Sequence, residues 1–146
     1  MVRIEFTVEV KRPPSEVFAY LTDVGNLPEW QSSVIEVSAD GPVAIGTRIT
    51  EVRRFLGRRV ESTLEVSEYE PDAKFSLKTL SGPVRFEVRH MLRPENGGTS
   101  LTIVGEGEPS GSFRFAEPLV ARQVEREFKS DFKTLKDLLE ACQPSP

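Results

Sequence analysis

One cysteine, one histidine and one tryptophan are all that 146 residues hold of those three types. A lone Cys142 excludes a disulfide framework. Cys142 and His90 together fall short of the four ligands of a structural zinc site, so no metal is expected. No apolar run approaches the roughly 20 residues that cross a bilayer, and no integral membrane segment is expected. The opening Met1-Val2-Arg3-Ile4-Glu5 lacks the apolar run of a signal peptide, so the expected location is cytoplasmic. A basic excess is missing too: 19 Lys and Arg stand against 23 Asp and Glu, for a net charge of −4. That argues against a nucleic-acid partner. Neither a Walker loop nor a nucleophile elbow occurs. Gly105-Glu106-Gly107-Glu108-Pro109-Ser110-Gly111 misses a dinucleotide fingerprint, because Ser110 stands where the last glycine is needed. No cofactor is expected.

What remains is ordinary globular material, 38% apolar and 29% charged. Its length suits one domain over residues 1–142, with 143–146 a frayed tail. Residues 2–10 alternate strictly. Val2, Ile4, Phe6, Val8 and Val10 share one face, and a period of two marks a half-buried strand. Pro13 and Pro14 stop it, and Pro14 suits the first turn of a helix. Val17, Phe18 and Leu21 give that helix one apolar face. Asp23 can cap a second short helical turn ending near Trp30. Strands are expected over 33–39, 46–55, 59–69, 74–81, 84–93 and 99–107. They are divided by Gly-, Pro- and Asn-rich turns short enough for antiparallel hairpins. A long helix is expected over roughly 115–141, with Val124, Phe128, Phe132, Leu135 and Leu139 as its apolar stripe.

The order is thus one strand, two short helices, six strands and a long helix. The fold class is α+β, a seven-stranded curved antiparallel sheet around the last helix. One helical stripe cannot fill the concave face of so large a sheet, so a cavity is expected between them.

Several motifs point to a known group. These are Pro14-Ser15-Glu16-Val17-Phe18 after the opening strand, Leu27-Pro28-Glu29-Trp30, the Gly46-Thr47 turn and the hairpin 53–59. Val66-Ser67-Glu68-Tyr69-Glu70-Pro71, the run 97–102 and the closing helix complete the set. Over nearly its whole length the chain resembles the START-like superfamily, also called the SRPBCC or polyketide cyclase/dehydrase and lipid-transport superfamily. Its helix-grip fold is that of the birch-pollen allergen. Val24 departs from the proline common after the aspartate in relatives. The resemblance implies a small hydrophobic ligand of lipid, polyketide or quinone type. Members of that superfamily differ in activity, so the fold does not fix the function.

His90 shares parity with Val84, Phe86, Val88 and Leu92 and should point inward. It is either an acid/base group near neutral pH or a histidine satisfied by one hydrogen bond. Val60, Ser62, Leu64 and Val66 also face inward; Ser62 either bonds a ligand or makes room for the helix. In strand 46–55 either face can be the inner one. Trp30 is a core anchor or a stacking platform. Arg53, Arg54, Arg58 and Arg59 flank one turn, as an anion clamp or as a solvated hairpin tip. Residues 105–111 form a passage into the helix or a lid over the cavity. The candidate ligand-binding set is Trp30, Ser62, Leu64, Phe75, Phe86, Val88, His90, Val124 and Phe128, with His90 the candidate catalytic residue. Three functions fit: a carrier of a small hydrophobic molecule, a cyclase-, aromatase- or dehydratase-like enzyme, or a protein-interaction module. Oligomeric state is open.

Overall fold

The computed structural model describes residues 2–55, 57–82, 85–108 and 118–141. Strand β1 (Val2–Val10) leads to helix α1 (Pro14–Thr22), a 3₁₀ turn (Val24–Asn26) and the single-turn helix α2 (Leu27–Trp30). Strands β2 (Val34–Ala39), β3 (Arg48–Phe55), β4 (Arg58–Glu70), β5 (Lys74–Ser81), β6 (Arg85–Glu95) and β7 (Gly98–Glu108) follow, then helix α3 (Pro118–Ala141). The sheet order is β1-β7-β6-β5-β4-β3-β2, antiparallel throughout. Six strands run as a meander, and the first strand closes the far edge against the last. The expected seven-stranded sheet and closing helix are both present. Residues 115–117 of the expected helix, Val84, Cys142 and the tail 143–146 lie outside the described residues, as does the part of the candidate lid beyond Glu108.

Local chemistry explains the corners. Pro14 takes the first turn of α1, where its missing N–H costs nothing. The Asp23 carboxylate accepts from the Gly25 N–H at 3.2 Å and starts the 3₁₀ turn. Asn96 and Gly97, with φ of 49° and 80°, make the two-residue β6–β7 connection; both dihedrals are positive, as the strand twist demands. The far end of α3 is tied to β1. Arg12 Nε donates to the Leu139 carbonyl at 2.9 Å, and Lys136 Nζ donates to the Glu9 carbonyl at 2.6 Å. A cation on the last carbonyls of a helix also opposes its negative dipole end.

The core is solid on the side of α1 and α2. Phe18, Tyr69 and Phe75 meet edge to face, at 5.3 Å for Phe18–Tyr69 and 6.4 Å for Tyr69–Phe75. Trp30 lies 4.9 Å from the Phe132 ring of α3. Phe132 and Leu135 are fully buried, as are Ile49, Leu64 and Leu101 on the sheet. Each such side chain contributes roughly 1.5–3 kcal/mol before entropy is charged. Toward the start of α3 this packing gives way to open space.

Candidate functional site

Four alternating faces build the wall of that space. On β4, Val60, Ser62 and Leu64 point inward; on β6, Phe86, Val88 and His90 do so; on β5, Leu77 does. β7 continues the inward series of buried Leu101 and Ile103 with Gly105 and Gly107. Two side chains are therefore missing where the strand passes beneath α3. A Cβ added at Gly105 would touch only the Phe128 ring, at 4.0 Å. Val124, Phe128 and Phe132 of α3 form the roof. The cavity volume is ≈ 130 Å³. Phe55, Phe86, Glu127 and Phe128 remain half-buried around it, so the cavity reaches solvent on that side.

Seven of the nine candidate ligand-binding residues line this cavity: Ser62, Leu64, Phe86, Val88, His90, Val124 and Phe128. Trp30 and Phe75 do not. Trp30 is spent against Phe132, and its indole N–H has no acceptor among the described residues. Phe75 lies behind His90, its ring 24° from parallel at 5.7 Å.

His90 is 4% exposed, and its Nδ1 lies 2.8 Å from the Phe75 carbonyl. A carbonyl can only accept, so Nδ1 carries the proton and Nε2 is left as the acceptor. Burial lowers its pKa to about 4, although the Phe75 carbonyl pulls the other way. The ring is neutral at physiological pH.

β3 settles which of its faces is inner. Ile49, Glu51, Arg53 and Phe55 turn inward, so two charged side chains enter the interior together with two apolar ones. They do so because Glu51 and Arg53, two residues apart on one face, satisfy each other. Arg53 Nε and Nη2 donate to Glu51 Oε1 and Oε2 at 2.9 and 3.0 Å. Arg53 Nη2 also reaches Gln31 at 2.9 Å, and Nη1 reaches the Ser33 hydroxyl at 3.3 Å. Glu51 is only 2% exposed, which such pairing makes tolerable. The strand pleat sends Arg53 into the cavity, while Arg54, Arg58 and Arg59 stay exposed on the hairpin.

Asp131 completes the polar end, and the sequence reading missed it. It sits seven residues after Val124 and four before Leu135, inside the apolar stripe of α3, and is 5% exposed. Its Oδ1 accepts from the Ser32 N–H and hydroxyl, both at 3.3 Å. Its Oδ2 has no partner among the described residues. Burial raises its pKa to about 6, and the neighbouring Glu127 adds to the rise; the Ser32 bonds and Arg53 oppose it. Among the described residues no cluster of His, Cys, Asp and Glu is arranged to hold a metal. None of the described helices is long and apolar enough to cross a membrane.

Solved structures share this architecture from end to end. TTHA0849 from Thermus thermophilus superposes with a TM-score of 0.84 at 18% identity, over 97% of this chain and 99% of that one. A START superfamily protein from Mycobacterium smegmatis gives 0.81 at 16% identity, over 96% and 98%. Ara h 8.0201 gives 0.75 at 12% identity, over 96% and 98%. At such identities the likeness speaks for the fold alone. No curated protein matches significantly. The family model described as "Polyketide cyclase / dehydrase and lipid transport" matches residues 1–140, and the chain belongs to that family.

Proposed function

We propose that the protein binds a small hydrophobic molecule in the cavity between the sheet and α3. The observation that carries this reading is an apolar, partly open cavity of ≈ 130 Å³ with its few polar groups gathered at one end. A lining of that composition suits ligands whose burial supplies the affinity and whose head group sets the orientation. The space also exists by construction, since β7 places glycines at its last two inward positions, Gly105 beneath Phe128 and Gly107 beside Phe86. A collapsed interior would have favoured a protein-interaction role.

One observation favours catalysis as a second reading. Asp131 is a buried carboxyl with its pKa raised to about 6 and one oxygen unengaged, a state suited to moving a proton near neutral pH. On that reading Asp131 shuttles the proton and His90 accepts a hydrogen bond. Native mass spectrometry of the purified protein, followed by denaturing extraction and a titration with naphthalene, tests the binding reading. A co-purifying lipid, quinone or polyketide mass, or saturable naphthalene binding, supports it. A ligand-free mass together with no saturable binding overturns it.

A further inference from the structure

The polar end of the cavity is unequal in donors and acceptors. The guanidinium of Arg53 has five N–H groups. Four are engaged, two by Glu51, one by Gln31 and one by Ser33. Against that single cation three acids reach this end, Glu51, Glu127 and Asp131, while Glu87 and Glu106 turn to the outer sheet face and pair there with Arg89 and Arg3. Asp131 Oδ2 and His90 Nε2, on residues only 5% and 4% exposed, have no donor among the described residues.

We infer that the cavity selects an apolar molecule whose head group donates a hydrogen bond, as a hydroxyl or phenol does, and disfavours one headed by a carboxylate. This rests on the binding reading above and adds the ligand's head group to it. A hydroxyl entering the polar end donates to Asp131 Oδ2 or His90 Nε2 and so meets one of the two unpartnered acceptors. A carboxylate finds donors in one spare Arg53 N–H, the Gln31 amide and the Ser33 and Ser62 hydroxyls, but it must approach ionised Asp131 and Glu127 to reach them.

The preference carries a pH signature. The charged groups acting on Asp131 are Arg53 from β3, to which Glu51 is paired, and Glu127 from its own helix; His90 from β6 lines the same cavity. Acidification through about 6 protonates Asp131 and turns Oδ2 into a donor, which relaxes the bias against carboxylates.

The experiment titrates naphthalene, 2-naphthol and 2-naphthoate into the protein by calorimetry at about pH 7.5 and about pH 5, in the unmodified chain and in Asp131→Asn. The expected result is 2-naphthol binding at least about tenfold tighter than 2-naphthoate at the higher pH. The ratio should shrink to within roughly threefold at the lower pH and in the variant. Naphthalene binding with 2-naphthoate as tight as 2-naphthol overturns the head-group inference and leaves the binding reading standing. No binding by any of the three overturns both. A ratio unmoved by pH and by the substitution overturns the assignment to Asp131. The ligand comparison in the unmodified chain decides the preference even if the variant fails to fold.

Discussion

Replacing Asp131 by Asn should stabilise the protein at neutral pH and do almost nothing in acid. The carboxyl has its pKa raised from 3.8 to about 6, chiefly by burial. At about 1.36 kcal/mol per unit this is about 3 kcal/mol, and solvent screening through the open side of the cavity reduces it to about 2 kcal/mol. The sign follows from proton counting. Between the two values the native state binds more protons than the unfolded chain, so stability falls as pH rises through about 6. Asparagine has the same shape and can still accept from Ser32, but it cannot ionise. The variant should therefore exceed the unmodified protein by about 2 kcal/mol at pH ~7.5, with the gap closing toward pH ~4. His90 acts in the opposite sense. Its pKa is lowered from 6.5 to about 4, so the unfolded chain binds the extra proton and stability falls on acidification between those values. In the unmodified protein the two slopes oppose each other, and Asp131→Asn should expose the histidine's acid sensitivity. Urea unfolding followed by the fluorescence of Trp30, buried against Phe132, measures all of this. A variant no more stable than its parent at pH ~7.5 would refute the claim that Asp131 is ionised there at a cost.

Other substitutions probe the rest of the site. Arg53→Ala strands the buried Glu51 carboxylate and should cost about 3–5 kcal/mol in urea unfolding, whereas Arg53→Met with Glu51→Leu should recover most of it. Phe132→Ala should cost about 3–5 kcal/mol, because that ring is 1% exposed among Phe6, Trp30 and His90. Phe128→Ala should cost well under that figure, since half-buried Phe128 lines open space; equal losses in thermal melts would count against the cavity's position. Gly105→Leu should fold with stability within about 1 kcal/mol of the parent, because its Cβ has room, yet lose naphthalene binding as the side chain fills the cavity. Retained binding would place the ligand elsewhere.

The strand alternation in β1, β4 and β6 and the α3 stripe could be read directly from the sequence, because each has a clean apolar face. Turn chemistry marked most of the boundaries. The polar end of the cavity was not readable in the same way. Glu51 and Arg53 look like surface residues one at a time, and only their pairing two positions apart makes an inward face of them. Asp131 did leave a signal, an acid in the middle of an apolar helical stripe. That position requires either a partner or a function, and the stripe was read for its apolar members alone. Gly105 and Gly107 read as flexibility near a strand end, while their effect is to withhold two side chains from the interior. Trp30 and Phe75 show the opposite case. Large inward aromatics suggest lining, but packing against Phe132 and His90 places both behind the wall.

The most direct test of a ligand-holding cavity is a naphthalene titration followed by amide chemical shifts in a heteronuclear NMR spectrum. The expected result is saturable change concentrated at Val60, Ser62, Val88, Gly105, Gly107 and Phe128, with little at the exposed Arg54, Arg58 and Arg59 of the hairpin. Changes confined to the outer sheet face or that hairpin, or no saturable change at all, would contradict the account.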